Sequence, residues 1–293
     1  MKKKVLVILG PTASGKSALA VKLAKKFNGE IISADSRQVY RGLDICTGKI
    51  TKREMRGVPH HLLDLADPRK QFNVAQYKKL AEEKIKEINF PIVVGGTGFY
   101  IDALAGLTNF PDVPPNKKFR EKLNRKSATE LFKILQRKDL KRAWSIDPNN
   151  KVRLVRALEI IEVLGHVPRC QPATSTPYRF IYIGLRPDNL NKKILLRIRK
   201  WLKNGLVDEV RKLHTDGISW KRFDEIGLIY HTVTKYLQGK ISKEQMVQEM
   251  FIEIRQYAKR QMTWFKRNKK IKWFKPEDLN EIEKHARMTL LGL

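Results

Sequence analysis

The segment that most restricts how this 293-residue chain can fold is Gly10-Pro11-Thr12-Ala13-Ser14-Gly15-Lys16-Ser17. It satisfies G-x-x-x-x-G-K-[ST], and both flanks suit that pattern. Residues 5–9 form an apolar run of strand length, and Leu19, Ala20, Leu23, Ala24 and Phe27 then recur at helical spacing. A buried strand that turns through glycines into an amphipathic helix opens a parallel α/β sheet. The same turn directs backbone N–H groups and a helix N-terminus at one point, where a phosphate can sit. Lys16 would neutralise the phosphate oxygens, and the Ser17 hydroxyl could ligate Mg2+. The motif is specific for phosphate but does not say which phosphate.

The rest of the chain extends this start. Residues 30–34, 91–94 and 180–185 read as further buried strands, with a Lys/Glu-rich helix over 76–88. Between 117 and 163 the periodicity is helical throughout, with no strand candidate, and proline-rich stretches at 109–115 and 168–177 bound it. Helices follow near 191–214, 231–238, 242–268 and 277–290. The expected fold is α/β: a P-loop NTPase-like parallel-sheet core, a mainly helical insertion domain and a helical C-terminal region. The core would take 1–111 together with 176–293, and the insertion 112–175.

Charge narrows the partners. Sixty Lys and Arg against thirty Asp and Glu give a formal +30, which favours polyanions. A lysine-rich compositional bias is the bland alternative. The excess is densest over 112–157, with 14 basic and 5 acidic side chains. No basic amphipathic helix stands alone at a terminus, so a nucleic-acid surface fits better than a membrane one. No apolar run approaches the roughly 20 residues of a membrane span. The basic start followed by 5–9 has no cleavage site and reads as a strand, which places the protein in the cytoplasm. Cys46 and Cys170 lack metal-ligand spacing and are expected to be reduced thiols.

Three further segments carry polar groups near strand ends. In open parallel sheets ligands bind at the carboxyl ends of the strands, so Asp35 in Ser33-Ala34-Asp35-Ser36-Arg37-Gln38 should face the phosphate loop. A carboxylate there could hold Mg2+, act as a base or cap a helix. Gly95-Gly96-Thr97-Gly98 after the run at 91–94 allows close backbone approach and supplies a hydroxyl, or is simply a tight turn. His60 and His61 invite a metal reading, but adjacent strand residues point to opposite faces. A structural or substrate-lining role suits them better.

Together these segments resemble the tRNA dimethylallyltransferases, or tRNA isopentenyltransferases. The matching pieces are GPTASGKS (10–17), SADSRQVYRGLDICTGK (33–49), PHHLLD (59–64), VVGGTGFYIDAL (93–104), DPNNKVRLVRALE (147–159), KNGLVDEV (203–210) and QYAKRQMTWF (256–265). The resemblance implies transfer of a dimethylallyl group from dimethylallyl diphosphate to N6 of the adenosine 3′ to the anticodon, releasing diphosphate. It implies Asp35 as general base, Thr12 and Thr97 near the reacting centre, and Arg197 on the diphosphate. Gly10 to Ser17 would hold the diphosphate, with Mg2+ on Ser17. By the same pattern Asp35, Ser36, Arg37, Gln38 and Thr97 touch the target nucleotide, and Arg120, Val152, Arg153, Leu154, Val155 and Arg156 contact the tRNA. The insertion would grip the anticodon stem-loop, and the enzyme would act as a monomer.

Two departures bear on RNA affinity. Val152 stands where many relatives have glutamine, and Ile226-Gly227-Leu228-Ile229 replaces a segment that ordinarily carries an aromatic and a basic residue. A small-molecule kinase would need only the phosphate loop and a strand-end acid, and leaves the basic insertion unexplained. A free adenine-nucleotide isopentenyltransferase should lack that insertion and the long C-terminal region. A non-catalytic RNA-binding P-loop protein gives no reason for Asp35, Thr97 and Arg197 to match together.

Overall fold

The structure, a computed structural model, describes residues 2–108, 110–168 and 176–291. Most of the proline-rich stretch at 168–177, with Cys170, lies outside the described residues, as does Asn109. Six strands form one parallel sheet: β1 (Lys3–Leu9), β2 (Glu30–Ser33), β3 (His60–His61), β4 (Pro91–Gly95), β5 (Tyr178–Leu185) and β6 (Lys272–Phe274). Their spatial order is β3-β2-β4-β1-β5-β6. β1 lies between β4 and β5, with Ile8 opposite Val94 on one side and Ile183 on the other. The chain's first crossovers run to one side of β1 and its later ones to the other. Such a reversal leaves a crevice at the carboxyl end of the central strand, where the phosphate loop begins.

Alternation along the strands builds two cores. Val5, Val7, Leu9, Ile32 and Val93 face α3 (Val74–Glu87) and α4 (Gly98–Leu104). Leu6, Ile8, Ile31, Ile92 and Val94 face α1 (Lys16–Phe27). A sheet covered on both faces needs continuously apolar strands, which is why these read as unbroken runs. A short helix, α2 (Lys52–Met55), follows β2.

The chain divides into two compact units, Met1–Gly106 with Ser175–Leu293, and Leu107–Thr174. The smaller unit contains α5 (Lys117–Asn124), α6 (Ala128–Lys138), α7 (Leu140–Ser145) and α8 (Lys151–Leu164). It has its own core of Leu123, Leu131, Leu135, Leu154, Leu158 and Ile161. In the larger unit, after β5, come α9 (Leu190–Lys203), α10 (Leu206–Thr215), α11 (Trp220–Ile226), α12 (Ile229–Leu237), α13 (Lys243–Phe265) and α14 (Leu279–Leu291). The expected helix over 191–214 is two helices, because Gly205 takes φ +88° between them. The C-terminal region is also not wholly helical: β6 adds to the sheet edge beside β5. Three residues leave no periodicity to read, and only the pairing with β5 makes them a strand.

Candidate active site

Helix starts in this chain are of two kinds, and α1 shares the open kind with α4, α9 and α12, which also lack a side-chain cap and a first-turn acid. α2, α3, α6 and α13 open on capping boxes, in which a side chain occupies the first free amides. α1 has no side-chain cap and no acidic residue in its first turn; its N-cap is Gly15, at φ +91°. Its leading N–H groups therefore remain for an anion. Ala13 is also held at φ +61°, a conformation non-glycine residues seldom adopt. The Lys16 ammonium donates to the Pro11 carbonyl at 2.7 Å, lying back across its own loop. Burial, and then the neighbouring Arg197, bring its pKa down to about 7, while Asp35 opposes the shift.

This loop forms one wall of a cavity of about 850 Å3. Thr12 to Ser17, Asp35, Arg37, Gln38, Thr47, Gly48 and Arg197 all line it. Gly10 and Pro11 are not lining residues; they bring the chain from β1 into the turn. Arg197 comes from α9, and its Nη1 donates to Thr12 Oγ1 at 3.1 Å. Its guanidinium lies 5.0 Å from the Trp201 ring centroid. A cation stacked on an aromatic ring and tied to the phosphate loop is ready for an anionic ligand.

Asp35 follows β2 at the sheet's carboxyl edge. Its Oδ1 accepts from the Arg37 amide at 2.9 Å and the Gln38 amide at 3.3 Å. Oδ2 has no hydrogen-bond partner among the described residues. Ser36 and Thr97 do not line the cavity, but they lock its wall: the Ser36 amide donates to Thr97 Oγ1 at 3.1 Å. Thus Thr12, Asp35 and Arg197, expected at the reacting centre, line one cavity from three separate segments of the larger unit, and Thr97 stands behind its wall. His60 lines the same cavity, and His61 Nε2 meets Glu30 Oε2 at 2.6 Å. Among the described residues no group of three or more His, Cys, Asp or Glu could hold a metal ion.

Three site residues lie in matched segments, 203–210 and 256–265, but were given no role there. Gln261 of α13 accepts from the Thr12 amide and donates to the Gly96 carbonyl, each at 2.8 Å. Tyr257, one turn earlier, stands beside Asp35 and Thr97, and burial raises its phenol to about 12. Glu209 of α10 accepts from the Asp44, Ile45 and Cys46 amides and so fixes the loop that carries Thr47 and Gly48.

In the smaller unit the expected RNA contacts divide. Val152 is 80% exposed, and Arg153 is exposed beside it. Leu154 and Val155 are buried in that unit's core, so their side chains are not available to RNA, and here the expectation is corrected. The reason is that α8 turns inward from 154 onward: Leu154, Val155 and every residue from Ala157 to Ile161 are buried. Arg120 and Arg156 both direct guanidinium groups at the buried Glu159, and each keeps about a third of its side chain exposed.

The fold and cavity define an α/β protein whose phosphate-loop motif, at the carboxyl end of a parallel sheet, opens on a cavity that Asp35 also lines. The model of the IPP transferase family matches residues 38–268, and the chain belongs to that family. It is 42% identical over 296 residues to the tRNA dimethylallyltransferase of Caldanaerobacter subterraneus subsp. tengcongensis, covering 96% of this chain and 94% of that protein. It is similar to the crystal structure of the tRNA isopentenylpyrophosphate transferase from Bacillus halodurans (TM-score 0.74, 38% identity, 99% and 98% of the two chains). A eukaryotic dimethylallyltransferase solved while acting on tRNA gives a TM-score of 0.79 at 26% identity, over 99% of this chain and 78% of that one.

Proposed function

We propose that this protein transfers a dimethylallyl group from dimethylallyl diphosphate to N6 of the adenosine 3′ to the anticodon of tRNA, releasing diphosphate. The observation that carries the reading is one cavity that joins an uncapped phosphate loop and a half-buried arginine to a strand-end carboxylate. The diphosphate lies on the α1 N-terminus, where Lys16, Arg197 and the loop amides take up the charge that develops as it departs. The adenine N6 bonds to the allylic carbon, the carbon–oxygen bond to diphosphate breaks, and the N6 proton passes to Asp35. Oδ2 suits that role because Oδ1 is already held by two amides. Thr97, through the Ser36 amide, keeps the Asp35 turn against the cavity.

The donor set near the loop fits Mg2+. The exposed Ser17 hydroxyl can supply one oxygen and the diphosphate the others, since Mg2+ retains water and needs few protein ligands. When bound it would neutralise leaving-group charge. The target base must leave its stack to reach the cavity. The basic smaller unit, through Val152, Arg153 and the exposed parts of Arg120 and Arg156, holds the anticodon stem-loop. The reading takes the enzyme as a cytoplasmic monomer; among the described residues no helix is long and apolar enough to cross a membrane.

The test is to incubate the protein with unmodified tRNA, dimethylallyl diphosphate and Mg2+ and to analyse the nucleosides by mass. One adenosine per tRNA should gain C5H8. No gain, or ATP turnover in its place, would overturn the reading in favour of a kinase.

A further inference from the structure

The two halves of the cavity belong to loops far apart in the chain. Thr12, with Arg197 on its hydroxyl, stands on the leaving-group side. Thr97, bonded to the amide next to Asp35, stands on the nucleophile side. In-line displacement demands that these sides keep a fixed separation, because a shift of about 1 Å can cost on the order of 10²-fold in rate. A single side chain spans them. Gln261 is 6% exposed, and its amide uses one end for each loop: Oε1 for the Thr12 N–H and Nε2 for the Gly96 carbonyl. We propose that Gln261 is a positioning residue that sets the register of the phosphate loop against the Gly95–Thr97 turn during transfer.

Three features support this role over plain packing. The Thr12 amide is committed to Gln261 and so is not a phosphate donor; the contact shapes the loop without binding ligand. Gly96 is the partner position, and a Cβ there would strike Gln261 Nε2, so glycine is what allows the amide to approach. α13 is itself anchored, because Trp264 Nε1 donates to Asp102 Oδ2 of α4 at 2.7 Å one turn beyond. The helix is therefore a fixed rail, and Gln261 transfers its position to both loops. A glutamate could still accept from Thr12, but would set a carboxylate oxygen against the Gly96 carbonyl. Neither an ionised glutamate nor a methionine of similar size can make both bonds.

The inference rests on the transferase reading above. The experiment compares the unsubstituted protein with Q261M and Q261E, measuring kcat and KM for dimethylallyl diphosphate and for tRNA. Assays are run well below each variant's thermal midpoint, with circular dichroism confirming the fold. Both variants should lose about 10- to 100-fold in kcat, with both KM values within about twofold of the unsubstituted protein. A variant that loses thermal stability but keeps its kcat, or one whose loss lies in KM, overturns the inference while leaving the transferase reading intact. If the unsubstituted protein transfers no allyl group, both readings fall.

Discussion

The Glu159→Gln substitution tests whether the smaller unit depends on its buried ion network. Glu159 is 1% exposed and accepts from Arg120 Nε (2.7 Å) and Nη2 (2.6 Å), Arg156 Nη1 (2.5 Å) and the Asn116 amide (2.7 Å). Burial pushes its carboxyl up, yet the bonds from Arg120, Asn116 and Arg156 outweigh that and hold it at about 2 against an ordinary 4.5. A depression of that size corresponds to roughly 3 kcal/mol of preference for the charged form when folded. The arginine side chains are 32% and 34% exposed, so water relieves part of the loss. The expected cost is therefore about 2 kcal/mol. Because the folded pKa lies below the unfolded one, this stabilisation is complete above about pH 4.5 and is lost as pH falls toward 2. Hydrogen exchange read at the amides of α5, α6 and α8 should show protection lowered by roughly 30-fold at pH 7, with β1 and β4 unchanged. The gap between the two proteins should close as the pH is lowered from 4.5. A change under about 0.5 kcal/mol, or one shared equally by β1 and β4, would refute the reasoning.

Other expectations follow from the site. Asp35→Asn should retain dimethylallyl diphosphate binding yet lose transfer by about 10² or more; single-turnover rates equal to the unsubstituted protein's would remove Asp35 as the base. Lys16→Met should weaken binding of inorganic diphosphate in calorimetry at pH 6, where the ammonium is charged, and unchanged affinity would take the loop out of the site. Affinity for tRNA should fall steeply with salt, and Arg153→Ala should reduce the log–log slope by about one; a flat salt dependence would count against the basic unit as the grip.

Much of the site was legible because its signals are local. The glycines, lysine and serine of Gly10 to Ser17 sit together in sequence, since a phosphate loop is a single turn, and β1, β4 and β5 announced themselves as apolar runs because both their faces are covered. The spacing within α8 could have separated Leu154 and Val155 from Val152 and Arg153. A resemblance read by position alone does not ask which way each side chain points.

What the sequence by itself determined is therefore the chemistry available: a phosphate loop, a strand-end acid, a basic helical stretch and the α/β order that brings strand ends together. Tertiary structure decided how those groups are held. Gln261 lies 249 residues from Thr12 and 165 from Gly96, and no periodicity reveals that its amide joins them. Arg120 reads as a free cation until folding brings it to the buried Glu159, which Arg156 already neighbours one turn back on α8. β6 is three residues long and becomes a strand only because β5 leaves an edge beside it. Patterns along a chain report what is local or repeated. A single hydrogen bond between distant segments is neither, and in this cavity such bonds fix the geometry.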